Sequence, residues 1–190
     1  MWIRDLVRVQ KMSGDFAAGR MERVRVRPLP AKRWRGYSLF AQASAAYLCS
    51  DFAEAEQLSH AALNDPKSGR LAQGIRQLQA SIMVETGRYD DAVALIGDEP
   101  ADLALRRLRA YIGIERGEDE LAERLLAVPC GPGLDEAMRL RGLGVLRARR
   151  GARDEAEQLL HRAINELNAR PEAGFQVDVA SCHAILAEVG

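Results

Sequence analysis

A short joint that recurs along the chain constrains its fold more than any other feature. Gly151-Ala152-Arg153-Asp154-Glu155-Ala156 separates two runs of apolar residues at helical spacing. Leu143, Gly144, Leu146 and Ala148 precede it, and Leu159, Leu160, Ala163 and Ile164 follow. The same joint stands at Ser50-Asp51-Phe52-Ala53-Glu54-Ala55, at Gly87-Arg88-Tyr89-Asp90-Asp91-Ala92 and at Gly117-Glu118-Asp119-Glu120-Leu121-Ala122. A fainter copy is Gly14-Asp15-Phe16-Ala17-Ala18-Gly19. The joints open at residues 14, 50, 87, 117 and 151, so the intervals are 36, 37, 30 and 34 residues. Self-similarity at that period is the mark of a helical repeat, in which no helix pair buries its apolar face without its neighbours.

Small residues explain why the joint recurs. Five positions after each joint opens stand Gly19, Ala55, Ala92, Ala122 and Ala156, and seven before it stand Ala43, Ala80, Ala110 and Gly144. Two antiparallel helices approach closely only where neither carries a long side chain. The acidic Asp90, Asp91, Glu118, Asp119, Asp154 and Glu155 open the second helices, where the helix dipole favours negative charge. The expected helices are 2–12, 16–23, 36–49, 53–64, 70–86, 89–96, 101–116, 119–127, 135–150, 153–168 and a terminal cap at 174–188. Between the second and third, Val24-Arg25-Val26-Arg27-Pro28-Leu29-Pro30 is expected to be an extended connector, because its prolines exclude a helix. The expected class is therefore all-α: an α-solenoid of antiparallel helix pairs, four to five repeats plus the cap. Residues 1–36 form a degenerate helix pair and basic connector, and 37–190 form the repeat domain.

The chain has 190 residues and a formal net charge of zero, unevenly spread. Residues 1–36 carry ten Lys/Arg against three Asp/Glu (+7), and residues 37–190 carry seventeen against twenty-four (−7). Arg23, Arg25, Arg27, Lys32, Arg33, Trp34 and Arg35 thus make a basic arm able to steer towards an acidic partner. Cys49, Cys130 and Cys182 are odd in number and far apart, which is no disulfide framework and fits a reducing compartment. The N-terminus Met1-Trp2-Ile3-Arg4-Asp5 lacks the apolar run of a signal peptide, and no stretch reaches the roughly 20 apolar residues of a membrane span. A cytoplasmic protein is expected.

The pattern Leu39, Ala43, Tyr47, Asp51-Phe52, Ala55, Ala62-Leu63 and Asp65-Pro66 resembles the tetratricopeptide repeat family. So does Leu143-Gly144 through Ala163 to Pro171, and the resemblance covers about residues 37–171. Glu99 and Pro129 depart from the family pattern, and the aromatic is missing after Gly117 and Gly151. The resemblance implies a concave groove, lined by the first helix of each pair, that binds a peptide or helix of another protein. Counted from the joints, one row would be Phe40, Gln77, Arg107 and Arg141. A second would be Ser44, Ser81, Tyr111 and Val145, and a third Tyr47, Val84, Ile114 and Ala148. Arg107 and Arg141 are the candidates for contacting a partner's carboxylate. Family members that clamp a C-terminal carboxylate use Lys and Asn at these rows, and this chain has neither there.

No catalytic, metal or cofactor motif accompanies the repeats. His60 and His161 each lie ten residues after a joint, which faces them outward, and the adjacent Cys182 and His183 point about 100° apart on a helix. There is no Cys-x-x-Cys, no His-Glu-x-x-His and no phosphate-binding glycine loop. The function expected is a protein-interaction scaffold or adaptor without enzymatic activity. One alternative is a regulatory segment of a larger bacterial machine, in transcription control or in secretion or pilus assembly, with the basic arm touching nucleic acid or an acidic surface. Another is self-assembly through the terminal helix, with Phe175, Val177, Val179 and Ile185 as the contact.

Overall fold

A computed structural model describes residues 2–28, 34–66, 68–169 and 176–189. Among them every regular element is a helix and no strand occurs. The chain forms two compact units, residues 1–95 and 96–190. The first contains α1 (Trp2–Ala17), α2 (Met21–Arg25), α3 (Arg35–Leu48), α4 (Phe52–Leu63), a single 3-10 turn at Gly69–Leu71 and α5 (Ala72–Glu85). It closes on α6 (Tyr89–Ile96). The second contains α7 (Leu103–Arg116), α8 (Asp119–Leu126), α9 (Leu134–Arg149), α10 (Arg153–Asn168) and α11 (Gln176–Val189). Helices neighbouring in sequence pack as pairs, α1 on α2, α3 on α4, α7 on α8 and α9 on α10. The first helices of successive pairs also touch: α1 on α3 and α3 on α5 in one unit, α7 on α9 and α9 on α11 in the other.

The joints share one backbone conformation. Ser50, Gly87, Gly117 and Gly151 sit in the left-handed region, with φ of 60, 74, 73 and 75°. The following amide reaches back to a carbonyl of the last helical turn: Asp51 to Ala46 at 2.9 Å, Arg88 to Met83 at 2.7 Å, Glu118 to Gly113 at 2.8 Å and Ala152 to Arg147 at 3.0 Å. This double closure satisfies carbonyls that the helix leaves unpaired and reverses the chain in two residues. The next helix starts at once: the amides of Ala55, Ala92, Ala122 and Ala156 bond the carbonyls of Asp51, Arg88, Glu118 and Ala152. Each of those alanines is fully buried, as are Ala43, Ala80 and Ala110 opposite. At Gly144, opposite Ala156, a methyl group would lie 2.9 Å from Leu160 Cγ.

The first pair departs from the expected plan. α1 runs straight through Gly14, and the joint falls at Gly19 (φ 69°), with Arg20 N–H bonding Asp15 C=O at 2.8 Å. An open-sided glycine inside a helix costs only about 1 kcal/mol, and staying helical keeps Met12 and Phe16 on the face that packs. Measured from Gly19, the close-contact positions hold Met12 and Val24, both buried, in place of two small residues. With Phe16, Met21, Ala41 and Ala45 they make a small separate core. The expected extended connector is thus helical as far as Arg25, and Val24 belongs to this core.

The other cores lie between pairs. In the first unit Ala43, Ala46, Ala55, Leu78 and Ile82 form one, and Leu39, Ala62 and Ile75 another. In the second unit Ala110, Ile114, Ala122, Leu125, Leu126 and Leu146 join α7, α8 and α9. Ala137, Leu140, Leu160, Ala163, Ile164 and Leu167 join α9 and α10, and Cys182 seals them from α11. Val179 and Ile185, expected as an outward contact for self-assembly, pack inward on this cluster because the cluster is left open on that side without α11. Phe175 and the Val177 side chain lie outside the described residues.

Candidate functional site

From α3 onward repeat arithmetic located the first helices to within about two residues, but their faces are more consumed by packing than expected. On α3, Phe40 packs under the next pair, its ring edge so near Gly74 that a β-carbon there would stand 3.2 Å from Cζ. Ser44 donates to its own helix at Phe40 C=O, 2.9 Å away. Tyr47 stacks obliquely on Phe52, ring centres 5.9 Å apart, and its hydroxyl donates to Glu85 at 3.4 Å. On α5, Gln77 and Ser81 are half-buried, whereas Val84 is only 6% exposed. On α7, Ile114 is 5% exposed and belongs to the core. Val84 and Ile114 are therefore buried and leave little surface for a groove, and Ile114 packs towards Gly142 of the next pair.

The α7–α9 face of the second unit is more open, chiefly at Leu103 and Tyr111. Leu103, Arg107 and Tyr111 are spaced four apart on α7 and share one face, and Leu103 and Tyr111 are each 40% exposed. Arg141, Val145 and Ala148 on α9 are half-buried. Arg107 is not held ready for a partner: its Nη2 lies 2.8 Å from Asp135 Oδ1, a bond from α7 to α9. Arg141 rests one turn from Met138, with Nη1 3.9 Å from the sulfur.

Two arginines of the basic arm, Arg25 and Arg27, are neutralised within the fold. Arg25 pairs with Asp51 at 2.6 Å, with Glu22 at 3.2 Å and with Glu54, and the Glu54 bond raises its already high pKa. Arg27 pairs with Asp15, which also binds Arg20 at 2.8 Å. Arg23 and Arg35 are exposed and Trp34 is half-buried. Lys32 and Arg33 lie outside the described residues.

Sequence reasoning missed a set of polar groups that work inside the fold. Buried Gln42 donates to three carbonyls at the end of α2, Val24 at 3.3 Å, Arg25 at 2.9 Å and Arg27 at 2.7 Å. Buried Arg139 forks onto Glu136, with Nε–Oε2 2.7 Å and Nη2–Oε1 2.6 Å, and its Nη1 donates to Leu126 C=O at 3.0 Å. Glu136 also accepts the Cys130 amide at 3.0 Å, and Glu166 accepts that of Gly133 at 3.0 Å. These carboxylates tie down the loop from α8 to α9. Arg139 holds Glu136 below the ordinary carboxylate range, against the opposing effect of burial. Arg147 and Arg150 do the same for Glu123. One signal for this set is visible in hindsight: Gln42, Gln79 and Arg109 all stand eight residues before a joint, polar on a face that packs.

His60, His161 and His183 are exposed. Among the described residues no group of three or more His, Cys, Asp or Glu is placed to hold a metal, and no helix is long and apolar enough to cross a membrane. Compared with protein-family models, with curated proteins and with solved structures, the chain matches none.

Proposed function

We propose that the chain is a protein-interaction module of the tetratricopeptide type, a scaffold or adaptor that holds a peptide or helix of another protein against the first helices of its pairs. The observation that carries this proposal is the joint itself. Five times a left-handed residue reverses the chain, and each time the positions seven before and five after it are buried. Pairs built in this way need neighbours on both sides, and stacking first helix on first helix lines up one face of each for a ligand. In the second unit that face offers Tyr111, Leu103 and Val145 beside Arg141. Aromatic and arginine side chains are the usual anchors of protein interfaces. Contact with nucleic acid through the basic arm is the weaker alternative, since Arg25 and Arg27 are committed to Asp51, Glu54 and Asp15.

The test is site-specific photo-crosslinking in the cell of origin. A photoreactive residue at Tyr111 or Arg141 is expected to capture one discrete partner, while the same residue at exposed Gln158, on a second helix, captures none. Equal capture from all three positions would remove the proposed face.

A further inference from the structure

The last helix repeats the register of the first helices before it. On α3, Ala41 and Ala45 face the preceding pair, in one core with Met12 and Val24. On α5 the same two places hold Leu78 and Ile82, packed with Ala43 and Ala55. On α9 they hold Gly142, where a β-carbon would meet Leu126 at 2.8 Å, and Leu146, packed with Ala110 and Ala122. Cys182 and Leu186 on α11 have the same spacing and pack on the core of α9 and α10. By this measure α11 is seated as a first helix.

Two and five residues after the first of each couple come the positions that receive a second helix. On α3 they are Ala43 and Ala46, both fully buried in one core with Ala55 of α4. On α9 the first of them is Gly144, against Leu160 of α10. On α11 they are Ala184 and Ala187, and both are exposed. Ala180, His183 and Glu188 beside them are exposed as well, so one whole face of α11 is open where its predecessors are covered.

We propose that a second copy of this chain covers that face, its own α11 lying antiparallel in the place of the second helix. The face matches itself. With Ala184 set against the second copy's Ala187, the backbones meet through alanine on alanine, as in the core that Ala43 shares with Ala55. The same register sets His183 opposite the second copy's Glu188, an imidazole N–H facing a carboxylate, and two-fold symmetry makes this pair twice. A contact of this kind closes after two copies. It faces away from Val179 and Ile185, which stay in the core of their own chain, and it uses no residue of the α7–α9 face proposed for a partner.

The experiment is sedimentation velocity on the full chain at neutral pH. A single helix pair is a small interface, so the dimer is expected to be weak, with a Kd on the order of 10–100 µM, and the dilution series spans that range. Ala184→Glu, at an exposed side chain, is expected to raise the Kd about tenfold or more, with the melting temperature of the dilute chain unchanged. Glu188→Lys is expected to raise it about threefold, and Glu188→Lys combined with His183→Glu to restore it. A chain that stays monomeric throughout, a dimer that Ala184→Glu leaves intact, or a double variant no tighter than Glu188→Lys alone would overturn the proposal.

Discussion

Ser50 carries a β-carbon in a conformation that its four counterparts, Gly19, Gly87, Gly117 and Gly151, adopt without one. The left-handed region crowds Cβ against the following carbonyl, so Ser50→Gly is expected to stabilise the chain by about 0.5–1 kcal/mol, read from urea unfolding. The gain is partly offset by the freer unfolded chain, and no gain at all would show that the α3–α4 joint is not strained. The opposite case is Gly144. Its missing side chain is what admits Leu160, and the obstructing atoms are the inner branch of a packed leucine, which has nowhere to swing. Gly144→Ala is expected to cost about 1–3 kcal/mol by overpacking. These two positions were legible in the sequence as repeat offsets, but the sign of each substitution was not, because it depends on what lies within 3 Å of the added atom.

At the scale of helices, the apolar spacing placed the ends of α3 through α10 to within about two residues, because each ends in a glycine, serine or proline signal that acts locally. It failed at Gly14, where local punctuation competed with packing two turns away. Gly14→Ala tests this directly. In a helix with open space around it, alanine is expected to add up to about 1 kcal/mol, whereas at a left-handed joint it would destabilise. The proposed groove rows are uneven for another reason. Residues counted from a joint share a direction only roughly: three before it, Val84 and Ile114 are buried while Tyr47 and Ala148 are half-buried. Buried polar clamps were hidden because an amphipathic pattern assigns polar residues to water. The Glu136–Arg139 clamp has a pH signature. Glu136 is held below its ordinary value of 4.5, so its contribution is fully present above that value and is lost as pH falls through the folded-state one. Glu136→Gln is expected to cost about 3 kcal/mol at neutral pH, because it strands buried Arg139. It is also expected to flatten the loss of stability below pH 4.5. A variant whose acid limb matches the parent's would mean that the clamp does not set it.

For the whole molecule, the consequence of a paired-helix plan is that stability is assembled from neighbours and not from one shared centre. The cores described above each fall inside one unit. Those of Ala110 through Leu146 and of Ala137 through Cys182 draw only on α7 to α11. The ion pairs of that half close within it as well: Arg147 with Glu123 and Glu155, Arg149 with Asp119, Arg139 with Glu136. Residues 96–190 carry thirteen Lys/Arg against seventeen Asp/Glu, a net of −4 that favours solubility. Residues 97–190, cut just after α6 ends, are therefore expected to fold alone, with helical circular dichroism and a cooperative thermal transition. Leu160→Ala in that fragment should remove roughly 2–5 kcal/mol, as it does for fully buried leucines, and so abolish the transition in so small a core. A fragment without helix would mean that its two cores need residues 1–96 to form, and that the repeat unit is too weak a module to stand by fewer than three pairs.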